Sequence, residues 1–352
     1  MRLDTVSVPV VQAPLAGGPS TPELTAAVLE AGAFGFLAAG YKTPAAVADD
    51  IATLRGLTDK PYGVNLFVPD DEVDAANVGP YLDQLGEEAQ RLGVQLGVPR
   101  HDDDSFDAKL DLVVAERVPV VSFTFGCPDG AVIQRLHDAG SEVWVTVTDP
   151  QEAALAHAAD ADVLVAQGIE AGGHRGSFVD REDREDYGLL ALLQLLAAHV
   201  RLPLVAAGGI STGAGVAAVL SAGACAAQLG TAFLRCSEAG TSPVHRAAMT
   251  GTGRTRLTRA FTGRSARGIE NRFLAEHSAA APIAYPEIHH ATAPLRAAGR
   301  SAGDGDVVNL WAGQAYRLAA EVPAAHVIAA LRRDLVDTLD AAAARVRGPV
   351  DG

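Results

Sequence analysis

Short apolar runs alternate with helix-like segments along the first 231 residues, and this alternation limits the possible folds more than any other feature. The apolar runs cover residues 8–13, 34–38, 61–67, 118–123, 142–147, 163–166, 202–207 and 224–229. Regular β–α alternation indicates right-handed crossovers and a parallel sheet, and eight such units are the number that closes a barrel. We therefore predict an α/β fold, a TIM-type (β/α)8 barrel with a smaller inserted domain. An open, doubly wound sheet is the alternative, but Gly17 and Gly18 after the first run do not form a GxGxxG phosphate fingerprint.

The pattern weakens after residue 236, where glycine, proline, arginine and the pair His289 and His290 interrupt every long amphipathic run. We predict a barrel over residues 1–236, an inserted lid or substrate subdomain of mixed helix and loop over 237–305, and C-terminal helices over 306–352. Within the last part, residues 307–318 and 327–346 are predicted to be helical. Two helices, at about 77–92 and 105–116, are predicted between the third and fourth strands.

Composition favours a cytoplasmic enzyme over several other classes of protein. The formal net charge of −15 argues against a nucleic-acid surface, and no apolar run approaches the length of a membrane span. Three scattered cysteines without CxxC spacing indicate reduced thiols. We expect no signal peptide and neither nucleic-acid nor membrane partners, and a homodimer stays open.

The sixth apolar run ends in a segment rich in polar and glycine residues, Gln167 to Gly176, that includes His174. The carboxyl ends of barrel strands carry the active-site loops, and imidazole titrates near neutral pH, so His174 is the candidate for proton transfer. The competing interpretation is a solvated histidine in a surface turn. A metal pair with Glu170 lacks a third ligand, a Schiff-base lysine could be supplied only by the remote Lys42, and Cys127 lacks an identifiable base.

Two glycine-containing loops and two amides complete the predicted site. Gly208-Gly209 and Gly230-Thr231 follow the seventh and eighth strands, where barrels commonly bind phosphate through backbone N–H groups. Asn65 and Gln167 end strands at the same rim and could bond the polar edge of an isoalloxazine ring, or could simply tie down neighbouring backbone. No Walker-type lysine follows either loop, which favours a resident cofactor.

Residues 167–176 resemble the signature of the nitronate monooxygenases, formerly called 2-nitropropane dioxygenases. Supporting similarity extends over residues 12–17, 62–67, 121–126, 206–210, 228–231 and 310–314. The resemblance implies a TIM-type barrel with a smaller domain and non-covalent FMN. It places the flavin against Asn65, Gln167, Gly172, Gly209, Gln228, Leu229, Gly230 and Thr231, and makes His174 the catalytic base or the residue that orients the substrate.

The reaction implied by the resemblance is oxidation of an alkyl nitronate, or of a nitroalkane, by O₂ to a carbonyl compound and nitrite. Thr124 stands where the family often has a histidine, and the segment after Ser237 matches least well. Two alternatives remain. One is an NAD(P)H-dependent quinone or enoyl-thioester reductase on the same scaffold, and the other is a non-catalytic protein that binds a flavin or phosphate ligand.

Overall fold

A computed structural model of the protein describes residues 2–70 and 78–347. Eight parallel strands form a closed barrel, in which the first strand pairs with the second on one side and with the last on the other. These strands are β1 (Val10–Gln12), β2 (Phe34–Ala38), β3 (Gly63–Phe67), β4 (Val120–Thr124), β5 (Glu142–Val147), β6 (Val163–Gln167), β8 (Leu204–Ala207) and β9 (Ala226–Leu229). Closure confirms the predicted (β/α)8 barrel and excludes the open sheet.

Large aromatic side chains fill the amino-terminal half of the barrel interior. Phe34 and Phe36, which alternate along β2, pack against Trp144 of β5 with ring centroids 5.3–5.7 Å apart. Gly63 makes room for them, because a Cβ there would lie 2.1 Å from a ring carbon of Phe36. The barrel interior is therefore filled at this end, and in the described residues it opens towards the carboxyl end of the strands.

Helices cover the outside of the barrel and bury their apolar faces against the strands, and further helices pack beside the barrel in a second core. Most begin at a residue that the sequence marks as a cap. Thr21, Thr43, Asp129, Asp149 and Thr212 each accept a hydrogen bond from a backbone N–H in the first turn. The helices are α1 (Pro22–Glu30), α2 (Pro44–Leu57), α3 (Gly79–Leu92), α4 (Phe106–Ala115), α5 (Gly130–Ala139), α6 (Pro150–Ala158), α7 (Leu189–His199), α8 (Gly213–Ser221), α9 (Pro243–Ala248), α10 (Arg272–His277), α11 (Glu287–Ala302) and α12 (Ala324–Arg347).

The inserted segment contains strands as well as the predicted helices and loops. A hairpin of β10 (Thr255–Thr258) and β11 (Ala266–Ile269) forms a three-stranded antiparallel sheet with β7 (Gly173–His174). The expectation of helix and loop alone was therefore wrong. The sequence does not indicate this sheet, because β7 is only two residues long and pairs with a strand more than 90 residues further along the chain.

The predicted helix over residues 307–318 was also wrong. The segment forms short 3-10 turns at Gly305–Val307 and Tyr316–Leu318, and the chain between them runs beside β11. Ile269 donates a backbone hydrogen bond to Leu310 (2.8 Å) and Ala312 donates one to Arg267 (3.2 Å). This tertiary pairing overrides local helix propensity.

A second hydrophobic core lies beside the barrel and is built from two separate stretches of chain. Tyr81 and Leu85 of α3 pack with Phe261, Phe273 and other residues of the inserted segment. The predicted division into residues 1–236, 237–305 and 306–352 stays a prediction. Residues 1 and 348–352 of these ranges, and residue 77 at the predicted helix start, lie outside the described residues.

The predicted C-terminal helix is confirmed as α12, which packs against α8 and α1. None of the helices in the described ranges combines the length and apolar character that a membrane crossing needs.

Candidate active site

A cavity of about 590 Å³ opens at the carboxyl ends of the barrel strands. Eight of the nine residues predicted from the sequence line it, namely Asn65, Gln167, Gly172, His174, Gly209, Gln228, Gly230 and Thr231. Leu229 is the exception, because its side chain is buried in the apolar layer between barrel and helices. The fold thus brings residues from four strands and three loops into one cavity.

His174 is held by the small sheet and not by a flexible rim loop. Its backbone pairs with Ala266 of β11, and its Nε2 lies 2.9 Å from the Oγ1 of Thr262. The imidazole contacts the rings of Phe125, Tyr285 and Trp311 at centroid distances of 5.6–5.8 Å. These contacts exclude the interpretation of His174 as a solvated surface side chain.

The imidazole is uncharged at neutral pH. Burial, together with the positive charges of Arg264 and Arg296, lowers the pKa of His174 to about 3. The residue is nevertheless only half-buried, because its ring faces the cavity. A neutral imidazole that faces a cavity carries a lone pair that can accept a proton.

Gln167 ties the end of β6 to the residues around His174. Its Nε2 donates to the backbone carbonyl of His174 (3.1 Å), and its Oε1 accepts from Arg175 Nη1 and from the backbone N–H of Gly176, each at 2.9 Å. Arg175 Nη1 also lies 2.8 Å from the Gly168 carbonyl. The amide therefore has the tethering role that the sequence allowed, and its contact with a cofactor stays a prediction.

Asn65 has a similar tether at the end of β3. Its Nδ2 donates to the carbonyl and hydroxyl of Ser122 (3.2 and 2.9 Å) and to the Oγ1 of Thr124 (3.1 Å). Thr124 therefore orients Asn65. With Nδ2 engaged by β4, the amide oxygen is the atom that remains for another donor.

The glycine loops bring bare backbone to the cavity wall. Gly208 and Gly209 have φ values of +112° and +70°, which favour glycine, and they precede α8 by a few residues. A Cβ on Gly172 would lie 2.4 Å from the backbone nitrogen of Gly313, and the same nitrogen donates to Thr231 Oγ1 at 3.0 Å. A Cβ on Gly208 would lie 3.1 Å from the backbone nitrogen of Ala171, so the loop after β6 lies close to the loop after β8 and to the chain at Gly313, which bonds to Thr231 after β9.

The competing chemistries are disfavoured by contacts that occupy their key residues. Both carboxylate oxygens of Glu170 lie 3.1 Å from the backbone N–H of Leu189 at the start of α7, so Glu170 acts as a helix cap. Lys42 forms an ion pair with Asp50. Burial raises the pKa of the Cys127 thiol to about 11, which disfavours the nucleophilic thiolate.

Sequence reasoning missed one whole wall of the cavity, which is supplied by α11. His289, Ala293, Arg296 and Arg300 line the cavity at the i, i+4, i+7 and i+11 positions of this helix. His289 stacks on Tyr41 with centroids 4.2 Å apart, and Arg296 donates to the His289 carbonyl at 2.6 Å. The spacing of these four residues puts them on one face of a helix, but the sequence does not show that this face lies against the barrel mouth.

A nitronate monooxygenase family model matches residues 2–334 of this chain. A nitronate monooxygenase from Pseudomonas aeruginosa is 42% identical over 346 residues, which cover 95% of this chain and 98% of that protein. The solved structure of a nitroalkane oxidase from Streptomyces ansochromogenes has 50% identity and a TM-score of 0.94, with coverage of 96% of this chain and 99% of that one. FabK from Thermotoga maritima has 26% identity and a TM-score of 0.74, and the match covers 97% of this chain and 96% of FabK. The chain therefore belongs to the nitronate monooxygenase family, a family of flavin-dependent oxidoreductases.

Proposed function

We propose that this protein binds FMN non-covalently at the barrel mouth and oxidises alkyl nitronates with O₂ to a carbonyl compound and nitrite. Neutral nitroalkanes enter the same reaction after His174 has removed their α-proton. The observation that carries this proposal is the imidazole of His174, which faces a cavity walled by bare backbone loops and by guanidinium groups.

The described residues fit a flavin mononucleotide. The cavity of about 590 Å³ lies inside the range of roughly 300–1,000 Å³ typical of small-molecule sites. Gly209 and Ser211 line it just before the N-terminus of α8, where backbone N–H groups and the helix dipole favour a phosphate dianion. We place Asn65, Gln167 and Gly172 beside the ring, and Gly209 with residues 228–231 beside the phosphate tail. When bound, the flavin accepts electrons from the substrate and passes them to oxygen.

A buried arginine in the cavity wall makes the cavity favourable for an anion. The guanidinium of Arg296 lines the cavity, and its hydrogen bonds in the described part of the chain go to neutral groups, namely the Thr292 hydroxyl and the carbonyl and Nδ1 of His289. Arg264 lies behind this wall, 4.2 Å over the Phe125 ring, and its charge is paired with Asp70. A positive field in a water-poor site stabilises a nitronate and the developing charge of a nitroalkane that is losing its proton.

Aromatic side chains keep water away from the proton acceptor. Phe125, Tyr285 and Trp311 surround the imidazole of His174, and desolvation of this kind strengthens the electrostatic interactions inside the site. The chain's own contribution is to bind and orient the anion, to hold one proton on His174 and to exclude bulk solvent.

Anaerobic mixing of the purified yellow protein with propyl-2-nitronate, NADPH or NADH tests the proposal. We expect the nitronate to bleach the visible flavin absorbance and the nicotinamides to leave it unchanged. Admission of O₂ should then restore the colour and release nitrite. Inertness towards the nitronate would refute the proposal, and inertness towards all three reagents would leave a binding protein as the remaining interpretation.

The second candidate is an NAD(P)H-dependent flavin reductase on the same barrel scaffold. Hydride donors can dock directly over a flavin in a barrel, so the fold allows this chemistry. Bleaching by NADPH or NADH with no response to the nitronate would select the reductase.

A further inference from the structure

Thr262 is a buried residue that contacts the imidazole of His174 from the loop between β10 and β11. It lines the cavity, and its Oγ1 lies 2.9 Å from His174 Nε2. A neutral imidazole carries its single N–H on either Nδ1 or Nε2, and only the other nitrogen can accept a proton. The partner of Nε2 therefore decides which atom of His174 can act as the base.

The loop that carries Thr262 is fixed from several sides. Arg259 donates to the Asp180 carboxylate at 2.9 Å, and the backbone N–H of Ser265 donates to the same carboxylate at 2.8 Å. Gly263 has a φ of +79°, and a Cβ there would lie 2.1 Å from the Ala284 carbonyl oxygen. The Thr262 hydroxyl is thus presented to His174 by a tightly packed turn.

The hydrogen bonds of this hydroxyl determine the direction of its contact with His174. Thr262 Oγ1 lies 3.2 Å from the backbone carbonyl of Arg264, which can only accept. With its single hydrogen directed at that buried carbonyl, the hydroxyl offers Oγ1 as the acceptor of a hydrogen bond from His174 Nε2–H. The backbone N–H of Arg264, 3.4 Å away, points to the same oxygen as a second donor.

This arrangement leaves Nδ1 of His174 as the nitrogen with a lone pair. In the described ranges of the chain no side-chain or backbone group forms a hydrogen bond with Nδ1, whereas the residue itself lines the cavity. Nδ1 is therefore the nitrogen available to a substrate.

We propose that Thr262 is a positioning residue that holds His174 in the Nε2–H tautomer, so that Nδ1 takes the α-proton of a nitroalkane. The inference rests on the proposed role of His174 as the base. In this step the α-C–H bond breaks, its electron pair becomes part of the nitronate, and the proton forms a bond to Nδ1. Nε2–H keeps its bond to Thr262 throughout, and a preformed nitronate needs no such step.

Nuclear magnetic resonance of the FMN-loaded protein with ¹⁵N- and ¹³C-labelled histidine tests the tautomer directly. The protein has ten histidines, and His174→Asn identifies the signals of residue 174 by their loss. We expect wild type to show a neutral ring protonated at Nε2. A ring protonated at Nδ1 would overturn the proposal without need of any Thr262 variant.

Thr262→Val removes the acceptor while it keeps the side-chain shape, and Thr262→Ser keeps the hydroxyl. We expect Thr262→Val to populate the Nδ1–H tautomer and to lower nitroalkane kcat/KM at least about tenfold, a part of the roughly 10²–10⁴ that a positioned base contributes. Nitronate kcat/KM should change by less than about twofold, because that substrate needs no base. Thr262→Ser should retain wild-type behaviour.

Thr258→Val is the matched control, since Thr258 is a buried threonine of the same hairpin whose hydroxyl bonds Ser278 and the Ala260 N–H. Equal effects of Thr258→Val and Thr262→Val, or an unchanged tautomer in Thr262→Val, would overturn the positioning role. If His174→Ala loses nitroalkane and nitronate turnover equally, the base role itself fails. If instead His174→Ala loses mainly nitroalkane turnover and Thr262→Val leaves both turnovers unchanged, only the positioning role of Thr262 fails.

Discussion

Removal of the guanidinium of Arg175 should destabilise the end of β6 and weaken the site at the same time. Arg175 is 1% exposed, and its Nη1 lies 2.8–3.1 Å from three acceptors, the carbonyl and side-chain oxygens of Gln167 and the carbonyl of Gly168. Arg175→Met preserves much of the apolar volume and deletes these bonds. Gln167 then loses the group that orients its amide towards the His174 backbone.

The size of the effect follows from counting hydrogens. Nη1 carries two hydrogens for its three acceptors, so two full bonds are lost, each worth about 1.5–3 kcal/mol with a charged donor. The substitution also removes a cost, because Nε and Nη2 of Arg175 are buried without hydrogen-bond partners in the described residues. Burial accordingly lowers the pKa of Arg175 to about 10. We expect a net loss of about 2–3 kcal/mol.

Thermal unfolding measures this loss. An unfolding entropy of about 2.1 cal/mol/K per residue over 352 residues converts 2–3 kcal/mol into a Tm decrease of about 3–4 °C. Arg175→Lys, which keeps the charge but not the planar fork, should fall between wild type and Arg175→Met. An unchanged or higher Tm in Arg175→Met would refute the reasoning, since it would mean that burial of the guanidinium costs as much as its bonds contribute.

Three further predictions concern the cavity and its supports. Gly172→Ala places a Cβ 2.4 Å from a backbone nitrogen and should yield colourless or weakly coloured protein, whereas Gly56→Ala, with open space around its Cβ inside α2, should bind flavin normally and gain up to about 1 kcal/mol. Because the pKa of His174 is lowered to about 3, only the unfolded chain gains this proton between about pH 6.5 and 3. Wild type should therefore lose stability on acidification, and His174→Gln should lose less, by on the order of 1 kcal/mol at about pH 5; parallel Tm curves would contradict the shift. Glu170→Gln weakens the cap on Leu189 and should lower stability by about 1 kcal/mol, while an activity loss reversed by added metal would revive the metal interpretation.

Most of the barrel was predictable because its signals are local. Each strand is a short apolar run, and residues such as Thr43 and Asp149 mark helix starts in the sequence itself. The same local reasoning failed where pairing is distant. His174 lies on a strand only because Ala266 pairs with it, and the chain around Leu310 is extended because β11 offers it a partner.

The candidate site was predictable on its barrel side and not on its lid side. Strand ends place Asn65 and Gln167 at the rim for any closed barrel, and both line the cavity. Thr262 and Arg296 come from the inserted segment, whose approach to the barrel no local pattern indicates. Leu229 was predicted to contact the flavin because it lies inside a family motif, but its side chain packs in the hydrophobic core.

The ratio of nitroalkane to nitronate turnover in His174→Ala tests the central claim most directly. If a neutral imidazole removes the substrate's proton beside the flavin, nitroalkane kcat/KM should fall by about 10²-fold or more, within the range for a lost general base. Nitronate kcat/KM should then fall far less, provided that flavin content is matched between variant and wild type. Equal losses on the two substrates would contradict the account, because they would assign His174 to binding and leave the proton without an acceptor.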